Sequence, residues 1–138
     1  MMSKLLSKNF YISLLVAAFI FTLDRISKIY IINLSKNSFD IELFSSKFLN
    51  ITLIWNEGIA FGLFSASHEN WYNILTIVIV FTALIILIMS IKQDGVQKYF
   101  LLIVFGGALG NLYDRIFFKA VPDFIDLHVG NFHWFVFN

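Results

Sequence analysis

Residues 106–126 read GGALGNLYDRIFFKAVPDFID, an apolar, glycine-dotted run that passes directly into Asn111, Asp114, Arg115, Asp123 and Asp126. Charge at the margin of hydrocarbon-like sequence is costly and is kept for function or for pairing. On a helix, Gly107, Asn111 and Asp114 fall at i, i+4 and i+7 and share one face. Gly106 and Gly110 form a GxxxG pair that admits a neighbouring helix at close range. Two readings stay open. One is a small-residue packing seam closed by an interfacial Asp–Arg pair. The other is a polar site at the membrane edge, where Asn111 donates and accepts, Asp114 accepts, and Arg115 holds a carboxylate or a lipid phosphate.

The remaining composition sets the class. Of 138 residues, 59% are apolar and 14% charged, whereas soluble domains carry about 25% charged residues. With a mean hydropathy of +0.79, the sequence reads as one polytopic membrane domain over residues 1–138. A net charge of +1 without any basic run offers nothing to a phosphate backbone, so no nucleic acid partner is expected. There is no cysteine, which excludes disulfides, thiolate metal sites and cysteine nucleophiles. His68, His128 and His133 show no HxxxH or HExxH spacing, and neither metal nor cofactor is expected.

Three apolar spans set the topology. Asn9–Leu23 carries no charge and follows Lys4 and Lys8, as in a signal peptide, but no small-x-small cleavage site comes after it. It reads as a retained first helix. Such a run rises only about 22 Å against a hydrocarbon thickness of about 30 Å, which places Asp24 at the outer boundary. Trp71–Ile91 is a long uncharged span, with Trp71 and Tyr72 suited to an interfacial aromatic belt. Lys92–Gly95 is a turn, and Tyr99–Tyr113 is a third, shorter span. Lys4, Lys8, Lys92 and Lys98 then share the side that the positive-inside rule assigns to the cytoplasm. On that topology Asp24, Asp114, Asp123 and Asp126 all emerge on the outer face.

Between the first two spans, Phe48–Asn56 alternates with period two and is rich in β-branched and aromatic residues, the pattern of a strand. Asn56, Glu57 and Gly58 form a turn before the apolar Ile59–Phe64. The expectation is an all-α membrane fold with a small extracytoplasmic β-sheet between helices 1 and 2. His68 with Glu69–Asn70 reads as a solvated helix start, and His128 and His133 as outer-surface residues. Phe132–Phe137 reads as the first residues of a fourth span.

The acidic residues offer one hydrolytic route that needs no metal, thiol or histidine. Two carboxylates at close range cannot both ionise, so one pKa rises and the other falls. One member then activates water and the other protonates a leaving amine. Asp123 follows Pro122, which fixes the backbone direction, and Asp126 lies three residues on. No Ser–Lys or Ser–His spacing supports a serine nucleophile, and Ser27–Lys28 reads as a helix end. Asp24 reads either as an interfacial partner of Arg25 or Lys28, or as a functional group.

These residues carry a family likeness over nearly the whole length. LDRISK at 23–28, NEGIAFGLF at 56–64, GGALGNLYDR at 106–115 and VPDFIDLH at 121–128 stand in the order and spacing of bacterial signal peptidase II, the lipoprotein signal peptidases, which the chain resembles. The resemblance implies an inner-membrane aspartic endopeptidase with four transmembrane helices, three of them complete here, and no cofactor. Its substrates would be prolipoproteins bearing a diacylglyceryl-modified cysteine, cut just before that cysteine. It further implies that Asp123 is the first catalytic aspartate, supported by Asn111, Asp114 and Arg115. Asn56, with Gly58 beside it, matches the loop that contacts substrate. Asp24 matches a structural aspartate ending helix one, with Gly106 and Gly110 as packing residues.

The family's second catalytic aspartate lies in an FNxAD motif opening helix four. Trp134–Asn138 match the approach to it and the sequence ends at Asn138, so this polypeptide as written is expected to hydrolyse poorly. The expected partners are the lipidated precursor and membrane lipid, and the expected state is a monomer. Two other readings remain: a non-catalytic lipoprotein-binding remnant, and a small cation-binding transporter or assembly factor. The transporter predicts carboxylates at mid-bilayer depth facing a pore.

Overall fold

The computed structural model describes residues 8–38, 42–58 and 69–138. They form three long helices, α1 (Lys8–Asn37), α2 (Glu69–Lys92) and α3 (Gly95–Phe118), and four strands, β1 (Glu42–Ser45), β2 (Leu49–Asn56), β3 (Val121–Val129) and β4 (Phe132–Phe137). Ile59–Phe64 and His68 lie outside the described residues. All three helices are long and apolar enough to cross a membrane. Phe19, Ile77, Phe81 and Phe100 point outward from them, as residues do where hydrocarbon replaces water as the solvent.

The helix α3 packs against both α1 and α2. Its approach to α1 depends on small residues. A Cβ on Gly106 would come within 2.8 Å of the Ala17 carbonyl oxygen, and one on Gly110 would overlap the Asp24 carboxylate. The GxxxG pair is therefore the seam that receives α1. Gly107, off to the side, has open space where its Cβ would lie.

Both helices outrun their expected ends. The 30 residues of α1 run through Asp24, Arg25 and Lys28 to Asn37, so Asp24 does not end the helix and neither does Ser27–Lys28. Likewise α3 continues past Tyr113 to Phe118. The reason is electrostatic. Charges within one helix meet opposite charges on the other, so neither helix has to break off to hydrate them.

The sheet also departs from expectation. It has the order β1-β2-β3-β4, antiparallel throughout, and only β1 and β2 come from between the first two helices. The other half follows α3. Phe132–Phe137 is β4, not the opening of a fourth helix. Gly130, at φ 60, and Asn131 turn the chain so that Val129 pairs with Phe132. Pairing with β3 satisfies its backbone groups in a ladder.

Pro122 lies in β3 opposite Trp55. It is tolerated there because β4 pairs only from Ile125 onward, leaving β3 with one open flank at that point. The sheet touches α1 and α3, and Ala120, Val121 and Phe124 are buried where β3 leaves α3.

Candidate active site

Lys119, in a left-handed conformation at φ 60, caps α3 and turns the chain into β3. This short link holds Asp123 close to the end of α3. Asp123 is only 5% exposed. Its Oδ2 accepts from Asn56 Nδ2 at 2.8 Å and its Oδ1 from Asn138 Nδ2 at 2.5 Å. Asn56 ends β2, and its Oδ1 accepts the Gly58 N–H at 2.9 Å, closing the turn. The Gly58 carbonyl accepts from Arg115 Nη2 at 2.5 Å, and the Arg115 carbonyl accepts the Tyr72 hydroxyl at 2.6 Å. Hydrogen bonds thus run from Asp123 through the Asn56–Gly58 turn to α3 and α2. Among the described residues, no cation pairs with Asp123. Amide donors orient a carboxylate without cancelling its charge.

A second polar cluster lies between α1 and α3. Asp114 is fully buried. Its Oδ1 accepts Arg25 Nη1 at 2.5 Å, and its Oδ2 accepts Arg25 Nη2 and Lys28 Nζ, each at 2.7 Å. Asp24 shares both cations, 2.6 Å from Arg25 Nη2 and 2.8 Å from Lys28 Nζ. Lys28 Nζ also donates to Asn111 Oδ1 at 2.7 Å. The Arg25 guanidinium sits 4.7 Å from the centre of the Tyr113 ring, within reach of its π face. Two carboxylates and two cations cancel, so the cluster survives between apolar helices.

The residues grouped by sequence therefore divide in space. Asn56, Gly58, Arg115 and Asn138 join the Asp123 network, whereas Asn111 and Asp114 join Asp24. Arg115 binds a backbone carbonyl rather than a carboxylate, and its Nε and Nη1 stay buried without a hydrogen-bond partner. Asp126 lies three positions beyond Asp123, on the opposite face of a regular strand. It meets His133 Nδ1 at 2.8 Å.

Comparison with known proteins gives the family. The family described as signal peptidase (SPase) II matches residues 16–138. The chain belongs to the signal peptidase II family. The lipoprotein signal peptidase of Pelagibacter ubique (strain HTCC1062) is 48% identical over 137 residues, covering 99% of this chain and 82% of that protein. The lipoprotein signal peptidase of Anaplasma phagocytophilum (strain HZ) is 43% identical over 131 residues, covering 92% of this chain and 80% of its own. A solved structure described as a bacterial membrane enzyme superposes with a TM-score of 0.64 at 30% identity, covering 90% of this chain and 76% of that one.

Three residues of this signal peptidase II family member take roles across the fold that the sequence reading did not give them. Arg25 and Lys28 were legible as partners of Asp24, since Asp24 and Lys28 stand at i and i+4, but nothing local pointed to Asp114 across the seam. Tyr72 reads as an interfacial aromatic, yet it is buried and its hydroxyl ties α2 to α3. No sequence signal distinguishes that role.

Proposed function

We propose that this chain serves the removal of signal peptides from diacylglyceryl-modified prolipoproteins, cut before the lipidated cysteine, with Asp123 as one of two catalytic carboxylates. Family membership makes it a membrane aspartic protease. The observation that carries the site is that Asp123 is buried yet, among the described residues, held only by two neutral amides, next to helices apolar enough to span a bilayer.

Peptide hydrolysis by an aspartate pair requires a second carboxylate across from the first. Asp114 is committed to Arg25 and Lys28, and Asp126 to His133. By the family resemblance the partner's role falls to the aspartate of the FNxAD motif, whose approach Trp134–Asn138 match. One carboxylate takes a proton from the attacking water as the new C–O bond forms. The other, protonated, passes its proton to the departing amide nitrogen as the C–N bond breaks. Asn56 and Asn138 hold Asp123 in the orientation this transfer needs, and Arg115 anchors the turn on which Asn56 depends.

Lys92 and Lys98 flank the α2–α3 turn, at the opposite end of α3 from Asp114 and Asp123. The positive-inside rule then puts that turn and the N-terminus in the cytoplasm, and the sheet with Asp123 at the outer face of the inner membrane. A site there receives water from outside and a lipid-anchored substrate sideways from the bilayer. The enzyme works as a monomer on a substrate held by its own lipid.

The test uses the protein continued past Asn138 to the length of its relatives. Asp123→Asn is expected to stop conversion of a lipidated precursor in membrane vesicles while the enzyme accumulates normally. Wild-type conversion by that variant would sink the assignment.

A further inference from the structure

Asp126, His128 and His133 gather on the face of the sheet opposite Asp123. Asp126 and His128 are two apart on β3 and share a face. Regular pairing continued from Asp126 opposite Val136 would set Trp134 across from His128, but a bulge in β4 sets His133 there instead. The two imidazoles stack with centroids 4.9 Å apart and planes inclined by 19°. His133 Nδ1 lies 2.8 Å from Asp126 Oδ2, and one ligand atom from each of the three residues lies within 4.8 Å of the others.

Two atoms in this group are orphaned. Asp126 Oδ1 and His128 Nδ1 are buried and have no hydrogen-bond partner among the described residues, and Asp126 as a whole is 8% exposed. Buried polar atoms are nearly always partnered. A carboxylate oxygen and an imidazole nitrogen left over beside a second imidazole form the donor set of a cation.

We propose that Asp126, His128 and His133 bind one divalent ion of the zinc class. Two imidazoles and a carboxylate suit Zn²⁺, Ni²⁺ or Cu²⁺, whereas Mg²⁺ and Ca²⁺ call for oxygen ligands. Ligand atoms of a tetrahedral zinc site stand about 3.3 Å apart. The His133 side chain is 50% exposed, so its rotation can close the remaining distance. The ion joins β3 to β4 and clamps the hairpin whose strands carry Asp123 and lead to Asn138. This site stands on geometry alone and does not depend on the peptidase reading.

The test is a titration of tag-free protein in detergent micelles with Zn²⁺ by calorimetry and with Co²⁺ by its d–d absorption. One ion per chain, imidazole ligation in the Co²⁺ spectrum, and a melting temperature raised by Zn²⁺ but not by Mg²⁺ are expected. His133→Gln, at a half-exposed position, should weaken binding by about tenfold or more and remove the thermal shift. His128→Gln should do the same. Absence of saturable Zn²⁺ binding by the wild type, or equal affinity in the wild type and both variants, would overturn the proposal and leave Asp126 and His133 as a simple ion pair.

Discussion

Asp114 and Asp123 are close in sequence and both buried, yet their surroundings are opposite. Asp114 is enclosed by the Arg25 guanidinium and the Lys28 ammonium, with Asp24 completing a neutral cluster. Among the described residues, Asp123 meets only the amides of Asn56 and Asn138. Cations hold a carboxylate in place by charge as well as by hydrogen bonds. Neutral amides orient it by hydrogen bonds alone. Burial and closeness in sequence therefore leave the two carboxylates alike; the charge of their hydrogen-bond donors separates them.

The comparison breaks most visibly at Asp123. In the protein continued to the length of its relatives, Asp123→Asn should lower the rate of precursor cleavage by about 10⁴-fold, read by single-turnover assay, while leaving the unfolding transition nearly unchanged. At Asp114 the pattern should invert. Asp114→Asn leaves Arg25 and Lys28 facing Asp24 alone, and removing one member of a buried ion group costs about 3–5 kcal/mol. That loss belongs in the unfolding curve in detergent. Normal stability with abolished cleavage would mean that Asp114 belongs to the chemistry after all.

Smaller changes sharpen the division. Gly110→Ala sets a methyl group into the Asp24 carboxylate, and overpacking of this kind costs about 1–3 kcal/mol; thermal unfolding should show it, with Gly107→Ala as the harmless control. Asn56→Ala removes one amide from Asp123 and loosens the Gly58 turn. A hydrogen bond to a charged group contributes about 1.5–3 kcal/mol, so cleavage should slow by about 10–100-fold with little change in stability. Tyr72→Phe deletes only the hydroxyl held by the Arg115 carbonyl and should lower stability by about 1 kcal/mol. A large kinetic effect of that variant would extend the active-site network into α2.

Much of the architecture was legible because it rests on local pattern. The uncharged run at 71–91 can only be satisfied as a helix, and the alternation at 48–56 specifies a strand that the structure places at Leu49–Asn56. The hairpin of β3 and β4 also left a signal, since Gly130–Asn131 between two apolar runs is a hairpin turn. It was overshadowed by the hydrophobicity of Phe132–Phe137, which a strand and an incipient span share. The extent of α1 was hidden for another reason. A stretch bearing Asp24, Arg25 and Lys28 looks like the end of a span until its partners on α3 are known.

The order of residues by itself determined three apolar helices, a strand, and spaced motifs that assign the chain to its family. Those features depend on neighbours along the chain. Tertiary structure decided which carboxylate became which: Asp114 went to the ionic seam, Asp123 to the two asparagines, and Asp126 to the histidines. Each outcome turns on contacts across the fold, as between Arg25 and Asp114 or Asn56 and Asp123. Helix packing and strand register bring those groups together, and no local periodicity encodes them.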